Sequence, residues 1–457
     1  MKEYLKDVDC WIALLICSII PVFIIGHNSL INIAILGLLG LVAIIKRENA
    51  IWAYIAIMSC FPLVSEDGST LPFKMMDRIR LVYPILLCAI SLPKLRKDKL
   101  VGTYLFFAFF YLILSVLWYY NVHHEDELFG IINYITMFLP IFILMYSSNI
   151  PLDKYFRVID VIVLIAGVYA MLEFFFRWNP YAEIAHFHGG DMGRFDIGVV
   201  FRADGLAGNP IVLSDLFLFE LCFLCLRSYI SGKLNYLLFT IVAFLSMLTV
   251  SRTSTLGLLI VVFIWIFFSS ILKRGVPQKI MIAIVLAFIV LINFADVAIN
   301  YLLVRSSDMS NEFNILSRWS YFSNIFDLVS DHPFGVGATY LMDYIFKHYS
   351  SLYSFMDMDT VDNVFLAQIG SYGIFGIITS YMWFYFYFYA KKVKANNTQL
   401  FYGIATISIM LLFVSFTHEW NDFVMPVILL SSSSALILRD MNMNIQSKFR
   451  NLLTSKF

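Results

Sequence analysis

The stretch FRADGLAGNP, residues 201–210, sets Arg202 and Asp204 two residues apart, ahead of a Gly205-x-x-Gly208-Asn209-Pro210 break between two long apolar segments. A connecting loop needs only a turn, which Gly205, Gly208 and Asn209-Pro210 supply, so the charges require a separate explanation. Asp204 reads as a partner that orients Arg202. Arg202 precedes one pair of apolar segments and Arg252 follows it, in Ser251-Arg252. If that pair is a hairpin, both arginines return to one membrane level. A guanidinium fork bonds phosphate or carboxylate oxygens bidentately, and ionisable residues at such depths are costly and usually functional. Snorkelling to lipid headgroups is the alternative. Arg194 and Arg318 stand behind this pair as further ligands, and Arg318 next to Trp319 reads equally as an interfacial anchor.

Acid–base residue types occupy the ends of other apolar segments. Asp362 stands before Asn363, His332 before Pro333, and His418-Glu419 before Trp420. Each has a structural reading beside a chemical one. An Asp at a helix start is a good N-cap, His332-Pro333 fits a helix stop, and His418-Glu419 fits an interfacial cap. His123-His124-Glu125-Asp126-Glu127 has metal-ligand residue types, but contiguous ligands cannot all face one ion, so a solvated turn is expected. Cys222-x-x-Cys225 lies inside an apolar run with no second ligand pair and reads as packing.

The elements that hold these residues follow from composition. The chain has 457 residues, 60% hydrophobic and 14% charged, against about 25% charged in a soluble domain. Net charge is zero, which gives no hint of a nucleic-acid partner. Apolar runs recur from end to end, each able to cross a hydrocarbon core of about 30 Å as a helix. They do not alternate as barrel strands would. Spans are expected near 9–26, 29–45, 50–64, 79–93, 100–120, 128–147, 158–177, 210–230, 234–250, 254–272, 279–297, 363–390, 400–417 and 421–438. The stretch Trp11–Ile25 reads as a first span rather than a cleaved signal. With both termini inside, 22 of the 32 Lys and Arg fall on inner segments, as the positive-inside rule asks. The remaining 10, on the outer side, comprise 8 Arg and 2 Lys. Topology needs only positive charge, so that arginine excess points to recognition.

The fold class is therefore an all-α polytopic membrane protein of about 12–14 transmembrane helices with two long outer loops. It divides into an N-terminal transmembrane bundle over 1–177, a long loop over 178–209 and central helices over 210–297. A second long loop over 298–362 follows, then C-terminal helices and a cytoplasmic tail over 363–457. Long ordered loops tend to be functional. Within the second, Trp319, Phe322, Ile325 and Phe326 recur at helical spacing and suit a helix lying on the membrane or the bundle. Gly370, Gly373 and Gly376 recur every third residue and suit close helix packing. Tyr340, Tyr344, Tyr349 and Tyr353 suit either sugar stacking or ordinary packing.

Taken in order, Arg202-Ala203-Asp204-Gly205 with Asn209-Pro210, Ser251-Arg252, Arg318-Trp319, His332-Pro333-Phe334-Gly335-Val336-Gly337, Asp362-Asn363 and Gly370/Gly373/Gly376 resemble the bacterial O-antigen polymerase (Wzy) and O-antigen ligase superfamily. The motifs cover roughly residues 190–390. The resemblance implies an inner-membrane, GT-C-like, inverting and metal-independent glycosyltransferase without cofactor. Its donor would be an undecaprenyl-diphosphate-linked oligosaccharide used at the periplasmic face. It also implies a membrane-lipid environment and a polysaccharide system with a flippase and a chain-length regulator. On that reading Arg202 and Arg252, with Arg194 and Arg318 behind them, hold the leaving diphosphate. Asp362 stands where the ligase branch carries histidine, and would serve as the base, with His332, His418 and Glu419 as alternatives. That departure favours polymerase over ligase. A transporter of lipid-linked oligosaccharide would instead carry charges deep in several spans. In the sequence Glu173 and Glu220 are the main such residues.

Overall fold

The computed structural model describes residues 8–15, 51, 55, 98–122, 141–178, 196–197, 200–203, 205–207, 210–272, 324–337, 340–341, 344–345, 347–348, 363–394, 397–416 and 424–454. Within them the regular secondary structure is helical apart from one hairpin of two-residue strands, with turns between the elements. The main elements in order are α1 (Lys99–Val122), α2 (Leu152–Phe176), β1 (Asp196–Ile197), β2 (Val200–Phe201), α3 (Pro210–Ser231), α4 (Tyr236–Leu248) and α5 (Arg252–Ile271). These are followed by α6 (Val364–Tyr372), α7 (Ile374–Lys392), α8 (Thr398–Ser415) and α9 (Val424–Thr454). β1 and β2 pair antiparallel, Asp196 opposite Phe201 and Ile197 opposite Val200.

Short polar side chains start several of these helices by satisfying first-turn N–H groups. Asn235 accepts from Leu238 N at α4, Ser251 from Ser254 N at α5, and Asn397 from Gln399 N and Leu400 N at α8. Lys391 and Lys392 close α7, where cations meet the negative end of the helix dipole. Leu152–Phe176, Thr253–Ile271 and Thr398–Ser415 are each long and apolar enough to cross a membrane. Large apolar side chains such as Phe106, Phe176, Leu237 and Phe263 face outward, a surface that lipid accepts and water does not. The protein is an all-α membrane protein.

The centre of the bundle is α3, packed against α2, α4, α5, α8 and α9. Leu216 to Leu226 is buried without interruption, the pattern of a helix enclosed on every face. That enclosure lets α3 carry Asp215, Glu220 and Arg227 in a membrane protein, since they face helices rather than lipid. Helix α8 packs closely on it, and a Cβ on Gly403 would stand 2.1 Å from Leu226 Cδ1.

Two elements differ from the hydropathy reading. The expected span 363–390 is two helices, α6 and α7, broken at Gly373 with φ +58. The turn after His332 docks into the break. Ile374 N donates to Pro333 O at 3.0 Å, Val336 N to Gly370 O at 3.1 Å and Gly337 N to Ser371 O at 2.9 Å. The three glycines do permit close approach, Gly370 to the Leu341 side chain, Gly373 to this turn and Gly376 to the end of α6. A Cβ on Gly373 would lie 2.0 Å from Pro333 O, and one on Gly376 2.3 Å from Gln368 O. No charged residue marks the break, and Ser371 beside it is too small a polar signal to lower the average over a span, so hydropathy passes over it. The second difference is α9, which continues to Thr454, well past the expected end of the last span.

Gly373→Ala combines a positive φ with a backbone clash. It is expected to destabilise the folded protein by more than about 1 kcal/mol, read as a lower unfolding temperature in detergent. An unchanged midpoint would contradict the docked-turn geometry.

Candidate functional site

The α4–α5 turn is built from hydroxyl groups. Thr249 Oγ1 donates to Ser246 O at 2.8 Å, Ser254 Oγ donates to the same carbonyl at 2.5 Å, and Ser251 Oγ accepts from Ser254 N at 2.9 Å. Ser246, Thr249, Ser251 and Ser254 are all buried. Between them Val250 sits at φ 45. A β-branched residue in the left-handed region is strained, by about 1–3 kcal/mol, and persists only where its surroundings fix it. Arg252 is the first residue of α5, so its backbone stands at the positive end of a helix dipole.

The loop after β2 is fastened to this turn. Ala203 N donates to Leu248 O at 3.2 Å, and Arg202 Nε donates to Thr249 O at 3.3 Å. Arg202 is half-buried. Its guanidinium thus lies against the chain three residues before Arg252. The expected hairpin is present as α3 and α4, and it returns the chain to the level at which it left. A cationic side chain, a helix N-terminus and the approach to a second arginine meet here, a combination suited to an anion.

A buried carboxylate fixes the loop from the other side. Glu173 on α2, 1% exposed, accepts the Gly205 N–H at its Oε2 over 2.6 Å. Gly205 has φ +56, and its Cα packs toward Leu213 and the Ala166 carbonyl. Glu173 is a positioning residue for this loop that sequence reasoning noted only as a mid-span charge; its one legible signal was a carboxylate inside an apolar run. Glu173→Ala removes the carboxylate that accepts the Gly205 N–H. A buried hydrogen bond to a charged group contributes about 1.5–3 kcal/mol, so unfolding at a lower temperature is expected. Glu173→Gln, which keeps an acceptor oxygen, should recover most of the loss. Equal losses in both variants would assign Glu173 a role other than holding Gly205.

A second grouping surrounds the turn docked at Gly373. The helix over 324–331 ends at His332, whose Nε2 meets Tyr344 Oη at 3.0 Å, with the rings edge to face at 5.1 Å. Desolvation first, then the charges of Asp331 and Tyr340, raises the Tyr344 phenol above its ordinary range, so at neutral pH it remains protonated. His348 stacks on Tyr344 at 4.0 Å. His332 Nε2 is therefore engaged by Tyr344. Ile325, Leu328, Val336, Leu341, Ile345 and Leu366 form the small core beneath.

Asn363 caps α6, its Oδ1 accepting from Phe365 N at 3.0 Å and Leu366 N at 3.1 Å. The capping role weighed for Asp362 thus belongs to its neighbour. Asp362, Arg194, Arg318, His418, Glu419 and Asp204 lie outside the described residues, as does the run from His123 to Glu127. Cys222 and Cys225 are buried thiols in α3. Among the described residues no group of three His, Cys, Asp or Glu is placed to hold a metal ion.

Residues 237–381 match the family model described as O-antigen ligase. The match runs from α4 through the first part of α7 and takes in Arg252, Arg318, His332 and Asp362, while Arg194, Arg202, His418 and Glu419 fall outside it. No curated protein and no solved structure matches the chain.

Proposed function

We propose that the chain is a member of the O-antigen polymerase and ligase superfamily, on the match of residues 237–381, and within it a polysaccharide polymerase joining undecaprenyl-diphosphate-linked repeat units at the periplasmic face of the inner membrane. Members of this superfamily are glycosyltransferase-like membrane enzymes acting on lipid-linked glycans, and the finer assignment rests on the site. The observation that carries it is the fastening of Arg202 to the turn leading into Arg252.

In the proposed reaction an acceptor sugar hydroxyl attacks the anomeric carbon of the donor glycan. The bond from that carbon to the phosphate oxygen breaks, and its electron pair leaves with undecaprenyl diphosphate. Attack from the opposite face inverts the anomeric centre. The hydroxyl proton passes to the Asp362 carboxylate, a general base whose catalytic role needs only reach and an ionised form. Arg202 and Arg252 bind the diphosphate and neutralise the charge that develops on it, with Arg194 and Arg318 as second-tier ligands of the same group. Preorganised cations at a leaving group are commonly the largest electrostatic contribution to such a step. No metal is assigned to it. A flippase delivering the repeat units and a chain-length regulator belong to the same proposal.

The description of the matching family favours a second reading, transfer of finished glycan to lipid A-core. Asp rather than His before Asn363 favours the polymerase. Purified protein in nanodiscs, given lipid-diphosphate-linked repeat units alone, should yield products of two or more repeats. Products that form only when lipid A-core is added would establish the ligase instead.

A further inference from the structure

The first turn of α5 holds four hydroxyl side chains, and three of them are committed within the protein. Ser251 Oγ accepts from Ser254 N at 2.9 Å, Ser254 Oγ donates to Ser246 O at 2.5 Å, and Thr255 Oγ1 donates to Ser251 O at 3.4 Å. Thr253 stands among them, 8% exposed, and its hydroxyl makes no hydrogen bond with the described residues. A threonine inside a helix usually turns its hydroxyl back to the carbonyl four residues earlier. Here that carbonyl belongs to Thr249, outside the helix, and it accepts from Arg202 Nε. A buried hydroxyl without a partner is costly, so Thr253 is suited to a partner from outside the chain.

The main chain of the same turn offers further donors. Ser251 Oγ takes the Ser254 N–H, and the Ser251 carbonyl takes the Thr255 N–H at 3.2 Å. The N–H groups of Arg252 and Thr253 precede every carbonyl of the helix that could accept them. A longer helix would offer them the Leu248 and Thr249 carbonyls. Val250 at φ 45 and Ser251 in the extended conformation turn the chain away from that continuation. Those two carbonyls accept from Ala203 N and Arg202 Nε.

The direction of Thr253 follows from its neighbour one turn on. A Cβ on Gly257 would stand 2.5 Å from Leu218 Cδ1, so this face of α5 packs on α3. Thr253 shares that face at i, i+4 spacing. It therefore lies toward the start of α3 at Pro210, which the Arg202 loop leads into. We propose that the Thr253 hydroxyl and the N–H groups of Arg252 and Thr253 are ligands of one phosphate group of the lipid-linked diphosphate, completing the set that the Arg202 and Arg252 side chains begin. This rests on the reading of the turn as the diphosphate site.

The physical basis is the positive end of the α5 dipole, where first-turn N–H groups bind anions. Three neutral donors fixed before the substrate arrives need no reorganisation as charge develops on the leaving group. The arginine side chains supply charge, and the turn fixes where the phosphate oxygens sit. Part of the binding should therefore survive removal of the Arg252 side chain, because the main-chain donors and Thr253 remain.

The test uses full-length protein in maltoside micelles, which carry no phosphate, with undecaprenyl diphosphate as the probe. Retention of the probe on immobilised protein reads binding, and the unfolding temperature reads stability. Thr253→Val keeps the shape and removes the hydroxyl. It should bind about 10–100-fold more weakly, as loss of a hydrogen bond to a charged group predicts, and Thr253→Ser should bind nearly as wild type. The unfolding temperature of Thr253→Val should be no lower than wild type, since no internal hydrogen bond is lost. Arg252→Ala should keep measurable binding, and adding Thr253→Val should reduce it again. Thr253→Val that binds as wild type while Arg202→Ala does not would overturn the Thr253 assignment and leave the diphosphate reading standing. Wild type that does not retain the probe would overturn both. If Thr253→Val fails to fold, Thr253→Ala is read in its place; failure of both, or binding lost only in step with stability, would make Thr253 structural and overturn its role as a ligand. No residual binding in Arg252→Ala would remove the main-chain donors. Displacement of the probe by equimolar phosphatidylglycerol would assign the turn to a bilayer headgroup and overturn the proposal.

Discussion

Arg202→Ala and Arg252→Ala are each expected to lower polymer formation by about 10²–10³-fold, the usual cost of deleting one preorganised donor at a developing negative charge, while the protein remains inserted. The two should be strongly non-additive. Both guanidiniums are proposed to serve one diphosphate, and groups that act as a unit lose most of their effect with the first deletion. Lysine at either position restores charge but not the bidentate fork, so intermediate activity is expected. Arg202 carries a second expectation, because its Nε bonds the Thr249 carbonyl. Lysine has no equivalent of that side-on donor, so Arg202→Lys should recover less than Arg252→Lys. The measurement is product length and yield from lipid-diphosphate-linked repeat units, normalised to folded protein. Full activity in either alanine variant would remove that arginine from the mechanism.

Asp362→Asn is expected to lower activity by about 10²–10⁴-fold, the range for loss of a general base. This substitution is informative because Asn is as good an N-cap as Asp. If residue 362 acted only as a cap, the exchange would be silent. Asn363 already fills the capping role, its Oδ1 accepting from Phe365 N and Leu366 N. Asn363→Ala should therefore cost about 1 kcal/mol of stability and reduce activity only in step with folded protein. The two variants separate chemistry from capping at adjacent positions. An active Asp362→Asn would move the base elsewhere.

Much of the architecture was legible because hydrophobic runs report membrane helices directly. The return of the chain from Arg202 to Arg252 was legible too, since two consecutive spans must come back to the side they left. The Arg202–Thr249 hydrogen bond is the local expression of that return. What these arginines bind is the proposal built on it. The break at Gly373 was not legible. Its flanks, Gly370-Ser371-Tyr372 and Ile374-Phe375, carry no charge to interrupt a span, and the cause lies about forty residues upstream, in the Pro333 carbonyl docked against it. The strain at Val250 left no trace either, because no residue type there announces a left-handed turn.

Charges inside the bundle were undercounted for a related reason. Glu173 and Glu220 stood out in the sequence, but Asp160 and Asp215 are as deeply buried. Averaging over a window hides a single acid in an apolar run. The partner that tolerates Asp160, Arg227, lies 67 residues away on another helix. Buried charge in two spans is also what a transporter of lipid-linked glycan would carry, so span charge alone does not separate that reading from the enzyme.

The measurement that does is a polysaccharide gel of the source strain with and without this gene, complemented in turn by wild type and by Arg202→Ala. Polymerisation at a site built on Arg202 predicts that deletion collapses the ladder to core plus a single repeat unit, that wild type restores it, and that Arg202→Ala does not. Bare core with polymer stranded on its lipid carrier, or a ladder unchanged by the deletion, would contradict it.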